Sequence, residues 1–158
     1  MGKVWRLGED IDTDIIIPTE YLALESIEEM KTYAFSPLRS ALASSIQAGD
    51  YLVAGKNFGC GSSREQAPEV IKALGITCVI AESFARIFYR NALNNGLRLI
   101  EAPELARKLK EGDVLNWDGK KIIYEDEVYE VPQLPEELEC ILESGGLVAY
   151  WKKQNQES

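Results

Sequence analysis

The chain contains no histidine, and that one absence removes a block of chemistry. Ser-His-Asp triads, Cys-His dyads, imidazole general bases and His-ligated zinc are all excluded. Cysteine is scarce as well: Cys60, Cys78 and Cys140 lie far apart and form no C-x-x-C pair. An odd, unclustered set reads as reduced thiols of a cytoplasmic protein rather than a disulfide framework. Nor can it furnish an iron–sulfur cluster in the usual way, which takes four cysteines, or three with one iron left open. Long apolar runs are missing too; residues 76–81 fall far short of the roughly 20 a membrane span requires. Met1-Gly2-Lys3-Val4 leads into mixed sequence without the apolar core of a signal peptide, and Arg6 breaks the myristoylation pattern. Basic residues are outnumbered, 17 against 26 acidic, for a net charge of −9. That balance argues against a broad grip on nucleic-acid phosphates. The expectation is a cytoplasmic protein with neither membrane nor nucleic acid as partner.

What is present is ordinary globular composition, 46% apolar and 27% charged over 158 residues. One domain spanning 1–158 is expected, large enough to need no disulfide or metal staple. A strand is predicted at 3–7, followed by an acid-rich loop, Gly8-Glu9-Asp10-Ile11-Asp12-Thr13-Asp14. Two helix-like stretches come next, 19–33 and 36–46, the second with Ser36 as N-cap and Pro37 at its first position. Tyr21-Leu22-Ala23-Leu24, inside the first, equally fits a structured loop. Strands at 51–54, 76–81 and 97–100 then alternate with helices at 64–74, 84–95 and 103–110. That alternation means β-α-β units and a mainly parallel core sheet. After Gly112 the pattern becomes a β-meander near 114–131, with short strands at 114–117, 121–124 and 128–131. A helix at 135–143 and a terminal strand at 147–151 complete the reading. The fold class is therefore α/β, a mainly parallel core sheet with flanking helices and a meander.

Chemistry concentrates in Gly55-Lys56-Asn57-Phe58-Gly59-Cys60-Gly61-Ser62-Ser63-Arg64-Glu65. The segment joins a predicted strand to a predicted helix, the carboxyl end where α/β sheets bind ligands. Its glycines permit tight turns and close ligand approach. Ser62 and Glu65 have capping-box spacing, so the helix is expected to open at Ser62. Two hydroxyls and an arginine at a helix N-terminus form a carboxylate or phosphate site in physical terms, the alternative being a purely structural glycine turn. The loop is neither a Walker A loop nor G-x-S-x-G. Pro68 conflicts with a start at Ser62, because it would lie beyond the first turn.

Lys56-Asn57-Phe58-Gly59-Cys60-Gly61-Ser62-Ser63-Arg64-Glu65 resembles the signature of the aconitase superfamily's swivel domain, and most closely that of the 3-isopropylmalate dehydratase (isopropylmalate isomerase) small-subunit family. Asp12-Thr13-Asp14-Ile15-Ile16-Ile17-Pro18 is similar to that family's N-terminal motif, and Ser83-Phe84-Ala85-Arg86-Ile87-Phe88-Tyr89-Arg90-Asn91 to its second helix motif. The resemblance covers nearly the whole chain and implies a swivel-type β/β/α domain. It further implies dehydration and rehydration of a 2-hydroxy dicarboxylic acid, as in leucine biosynthesis. A large-subunit partner would hold a 4Fe–4S cluster, with no cofactor bound by this chain. Ser62 matches the family's catalytic base, Arg64 the substrate-carboxylate clamp and Ser63 an adjacent donor. Thr13 and Asp14 match positions near the active centre; Asp14 would orient Arg64 or close an Asx turn. Gln66 stands where many members carry histidine, a position that is not the base. Tyr21, Leu22, Ala23 and Leu24 match the specificity loop, where tricarboxylate-using members resemble Tyr-Leu-Arg-Thr. Ala23 leaves a third carboxylate without a counter-charge, which favours 2-isopropylmalate over homoaconitate or another substituted malate. The bland reading of this loop is that Leu22 and Leu24 pack it onto the core.

Arg86 and Arg90, four apart on one helical face, could line a positive rim of the site, but surface ion pairing is the favoured reading and they are left out of it. Cys60 is read as a small turn residue, and Phe84, Phe88 and Leu93 as core. The rival of another class is a freestanding carboxylate-binding regulatory module.

Overall fold

The computed structural model describes residues 2–131 and 134–157. The chain runs β1 (Gly2–Arg6), α1 (Thr13–Ile16), a 3-10 turn (Thr19–Tyr21), α2 (Ile27–Met30), a second 3-10 turn (Lys31–Tyr33) and α3 (Leu42–Ser45). It continues through β2 (Tyr51–Ala54), α4 (Gln66–Ala73), β3 (Cys78–Ala81), α5 (Arg86–Asn94), β4 (Arg98–Glu101) and α6 (Pro103–Lys108). The meander β5 (Val114–Trp117), β6 (Lys121–Tyr124) and β7 (Glu127–Glu130) precedes α7 (Glu136–Ser144) and α8 (Leu147–Glu157).

Seven strands form one sheet in the order β4-β3-β2-β1-β5-β6-β7. The first four are mutually parallel, and β5 turns antiparallel along β1 to start the meander. The four residues of β2 and of β3 are all buried, as expected of strands covered on both faces. Alternate residues feed separate cores. Leu52, Ala54, Val79 and Ala81 pack beneath α4 and α5, through Val70, Ile71, Phe88 and Ala92. Tyr51, Val53, Cys78 and Ile80 pack on the other face with Leu105 and Leu109 and with the meander residues Leu115 and Ile122. The alternating sides of a strand thus build a two-sided fold whose loops at the β2 and β3 carboxyl ends are left free for function. Among the described residues, no helix is long and apolar enough to cross a membrane.

Four sequence expectations need correction. The helix expected at 19–33 is three short pieces; Ser26 caps α2 by accepting from the Glu29 amide at 3.2 Å, and that cap starts a new helix rather than continuing an old one. The helix expected at 36–46 shrinks to α3, because Phe35 takes a left-handed φ of 61° and its carbonyl closes a turn onto Leu38 and Arg39. Helix α4 starts at Gln66 instead of being capped by Ser62. There Pro68 falls third, where its missing N–H has no intrahelical partner to lose. Finally, the apolar run at 147–151 is the start of α8, not a strand; it packs on α7 and α5. Short apolar runs fit either period, and Gly145 and Gly146 at φ 92° and 131° break α7 without ending helical structure.

Candidate active site

The glycine loop between β2 and α4 is tied down on both sides. Gly59 donates to the Ile11 carbonyl at 2.7 Å, and the Thr13 amide to the Cys60 carbonyl at 2.9 Å. On the other side, Phe58 N–H reaches the Ser83 carbonyl at 3.1 Å and Ala85 N–H the Phe58 carbonyl at 3.0 Å. The 10–14 loop and the β3–α5 connection therefore hold the glycine loop between them, in register. All three quoted motifs meet here.

Asp12 caps α1 by accepting from the Ile15 amide at 2.9 Å, which frees Asp14 for another task. Its carboxylate lies 2.7 Å from Arg64 Nη2 and accepts from Thr19 Oγ1 at 3.0 Å. The Thr19 hydroxyl and then the Arg64 guanidinium hold the Asp14 carboxyl below its ordinary range. Arg64 also donates to the Ile17 carbonyl at 2.8 Å and to Thr19 Oγ1 at 2.7 Å. Its side chain is only 13% exposed. Of the two readings open for Asp14, the geometry has the pairing with Arg64; the Asx-type cap belongs to Asp12.

Thr13 is buried, and its hydroxyl donates to the Ser62 carbonyl at 2.7 Å. Ser62 itself is exposed, and its own hydroxyl makes no hydrogen bond among the described residues. The amides of Ser62, Ser63 and Arg64 likewise donate to no protein acceptor among them. An exposed hydroxyl thus stands beside amides that donate to no acceptor among the described residues, donors of the kind that can stabilise an oxyanion. Beside it opens a cleft of about 210 Å³ lined by Thr13, Ser63, Arg64, Arg86, Phe88 and Asn91, among others. Among the described residues no carboxylate lines this cleft.

Of the residues expected from sequence, Thr13, Ser63 and Arg64 line the cleft together, Asp14 contacts Arg64, and Ser62 lies on the exposed loop whose neighbours line it. Tyr21 closes the turn that touches Arg64, and Leu22, Ala23 and Leu24 follow it. The Tyr21 ring stacks on Tyr33 at 4.0 Å, Leu22 and Leu24 pack on the core, and Ala23 is exposed. Sequence reading missed Asn91, whose amide reaches Ser63 Oγ at 3.4 Å, and Thr19. Of the two readings open for Arg86, the less favoured one holds: among the described residues neither Arg86 nor Arg90 forms an ion pair, and Arg86 lines the rim of the cleft. Its place at the start of α5, the carboxyl-end side of β3, was the available signal. Phe88 and Leu93 are core as expected, though Phe88 also reaches the cleft. Burial and then Asp12 and Asp10 push the Cys60 thiol up, away from a reactive thiolate.

Among the described residues no three histidine, cysteine or acidic side chains converge as metal ligands. Cys60, Cys78 and Cys140 sit in the glycine loop, in β3 and in α7. This donor set does not fit an iron–sulfur cluster.

The model of the aconitase C-terminal domain matches residues 36–105. Similarity to curated proteins extends over nearly the whole chain. A 3-isopropylmalate dehydratase small subunit of Lachnospira eligens is 62% identical, over 98% of this chain and 94% of that protein. A small subunit 1 of the same name from Archaeoglobus fulgidus is 49% identical over 96% of each. An isopropylmalate/citramalate isomerase small subunit of Methanocaldococcus jannaschii is 47% identical over 99% of this chain and 96% of that protein. Among solved structures, a 3-isopropylmalate dehydratase from the same archaeon superposes with a TM-score of 0.90 at 40% identity, covering 98% of this chain and 94% of that one. The glycine loop, the fold that presents it and these likenesses agree: the chain belongs to the 3-isopropylmalate dehydratase small-subunit family, hydro-lyases of the aconitase type.

Proposed function

We propose that this chain works as the small subunit of a 3-isopropylmalate dehydratase in the cytoplasm, converting 2-isopropylmalate to 3-isopropylmalate by dehydration and rehydration. The observation that carries the reading is the exposed Ser62 hydroxyl, free of partners among the described residues, next to unspent amides and the Arg64 cleft. As alkoxide, Ser62 takes the proton from the carbon beside a substrate carboxylate; the C–H electron pair forms the double bond as hydroxide leaves the neighbouring carbon. Rehydration with the two positions exchanged returns that proton and yields the isomer. A serine hydroxyl is a weak base unless its anion is stabilised, and the amides at 62–64 together with Arg64 supply that field. Arg64 takes the substrate carboxylate on N–H groups not spent on Ile17, Thr19 and Asp14, where a planar fork holds an anion in a fixed direction. Exposed Ser63 supplies an adjacent hydrogen-bond donor to the substrate, and Thr13 fixes the loop beneath through the Ser62 carbonyl. In this reading the 4Fe–4S cluster belongs to the large-subunit partner, and this chain does proton transfer, orientation and anion binding.

The exposed Ala23 and its apolar neighbours favour a malate with a small apolar substituent over a tricarboxylate. Burying a third carboxylate there would cost several kcal/mol without a counter-charge. A methyl-substituted malate suits the same surface, in line with the second substrate in the name of the Methanocaldococcus relative. Co-expression with a large subunit and anaerobic assay against a panel of 2-hydroxy diacids tests the proposal. Turnover of 2-isopropylmalate by the complex, and by neither chain alone, is expected. Tight diacid binding by the isolated chain with no turnover in the complex would favour a freestanding binding module.

A further inference from the structure

Thr19 belongs to none of the motifs that point to the site, yet it touches both charged partners in it. Its hydroxyl accepts from Arg64 Nη2 at 2.7 Å and donates to Asp14 Oδ1 at 3.0 Å, while Asp14 and Arg64 meet at 2.7 Å. One hydroxyl therefore has its donor and its acceptor functions both committed to a single ion pair. Thr19 also opens the 3-10 turn Thr19–Tyr21, which leads straight into the segment proposed to face the substrate's variable group. The far end of that turn is fixed by the Tyr21 ring on Tyr33. The turn that enters the segment is thus held at its start to the guanidinium, across 45 residues of sequence, and at its end by Tyr21, which packs against the core.

We propose that Thr19 is a positioning residue: its hydroxyl aims the Arg64 guanidinium and couples it to the 21–24 segment, so that the carboxylate clamp and the surface that reads the substituent move as one unit. This deepens the role assigned to Arg64 and rests on that reading. The physical reason is the freedom of an arginine side chain. A guanidinium on several rotatable bonds binds a carboxylate directionally only when its plane is fixed. The Ile17 carbonyl fixes one nitrogen, and without Thr19 the second would be held by the exposed Asp14 alone.

The test compares Thr19→Val, which keeps the shape but loses both hydrogen bonds, with Thr19→Ser, which keeps the hydroxyl. In the assembled enzyme, Thr19→Val is expected to raise KM for 2-isopropylmalate about tenfold, the loss of one charge-assisted hydrogen bond, with kcat within about twofold. Thr19→Ser should restore the KM. A second readout needs no activity: carbon-13 titration of the Asp14 carboxyl in the full-length chain. Its midpoint should rise toward the ordinary carboxylate range in Thr19→Val and stay low in Thr19→Ser, because the Thr19 hydrogen bond is the largest influence lowering it. An unmoved KM, with or without a moved Asp14 midpoint, overturns the proposal, as does failure of serine to restore the KM. If the wild-type complex turns over no substituted malate, the functional reading falls, and an unmoved Asp14 midpoint would then reject the Thr19 latch on its own.

Discussion

Gly59 carries more of the site than its size implies, and Gly59→Ala measures how much. Its φ is +86°, and a Cβ built there would lie 2.2 Å from Phe88 Cγ. Phe88 cannot retreat easily: it is 3% exposed and meets the fully buried Phe58 edge-on at 5.4 Å. Two costs add. Left-handed backbone costs an alanine about 1–2 kcal/mol, and overpacking a closed core about 1–3 kcal/mol. The sum, about 2–5 kcal/mol, should lower a urea midpoint by roughly 1–2.5 M at a slope of about 2 kcal/mol per M. Gly112→Ala separates the two terms, since Gly112 has φ +93° but open space around its Cβ position. It should show the backbone cost alone. Because Gly59 and Phe88 both line the cleft, Gly59→Ala should also impair turnover in the assembled enzyme, while Gly112→Ala should not. Urea unfolding followed by circular dichroism is the assay. Equal destabilisation in the two variants would refute the close-packing argument at the loop.

Arg64→Lys is expected to raise KM for the diacid at least tenfold, since a point charge replaces a planar fork; steady-state kinetics of the complex would check it, and an unchanged KM would remove Arg64 as the clamp. Ala23→Arg should shift preference from 2-isopropylmalate toward homoaconitate, read as the ratio of kcat/KM values; an unchanged ratio would confine the 21–24 segment to core packing. The third concerns Asp50, a buried carboxylate that accepts from Trp5 Nε1 at 2.8 Å, the Gln47 amide at 2.9 Å and the Lys3 amide at 3.1 Å. Burial alone would push its carboxyl up, but these hydrogen bonds outweigh it and hold it below the ordinary range. Its stabilising effect is therefore full above the ordinary carboxylate pKa and is lost as pH falls from about 4 through the lowered value. Asp50→Asn turns an amide donor toward one of three donors, so it should cost about 1–3 kcal/mol at pH 7. The deficit relative to wild type should shrink below about pH 4; a pH-independent deficit would contradict the assignment.

Legibility in the sequence followed the strength of the local signal. The strand at 51–54 is observed with those limits, and 76–81 and 97–100 hold β3 and β4 to within a residue or two, because runs such as Tyr51-Leu52-Val53-Ala54 are apolar throughout and flanked by turns. The meander was legible from Asp118-Gly119 and Glu125-Asp126 between its strands. Helices without a continuous apolar stripe were not. The left-handed backbone of buried Phe35, whose N–H reaches the Ile16 carbonyl at 3.0 Å, is set by a tertiary contact that residue periodicity does not carry, while the Ser26 cap is a local break that apolar periodicity overrode. At the site, residue types were readable, and the Asp14–Arg64 pairing was one of two readings open for Asp14; the other pairings were not readable. Ser62 and Glu65 had capping-box spacing, yet Pro68 sets the helix start and Thr13 takes the Ser62 carbonyl instead. Asp14 and Thr19 lie about fifty residues before Arg64, and only the fold brings them to it.

The central claim, that this chain supplies the base, is tested most directly by Ser62→Ala in the complex with the large subunit and an intact cluster. The variant should assemble as wild type does, since the Ser62 side chain makes no hydrogen bond among the described residues and is exposed. Its kcat for 2-isopropylmalate should fall by about 10²–10⁴-fold or more, the range for a removed general base. A Ser62→Ala complex that assembles, carries its cluster and turns over 2-isopropylmalate at wild-type rates would take the base away from this loop.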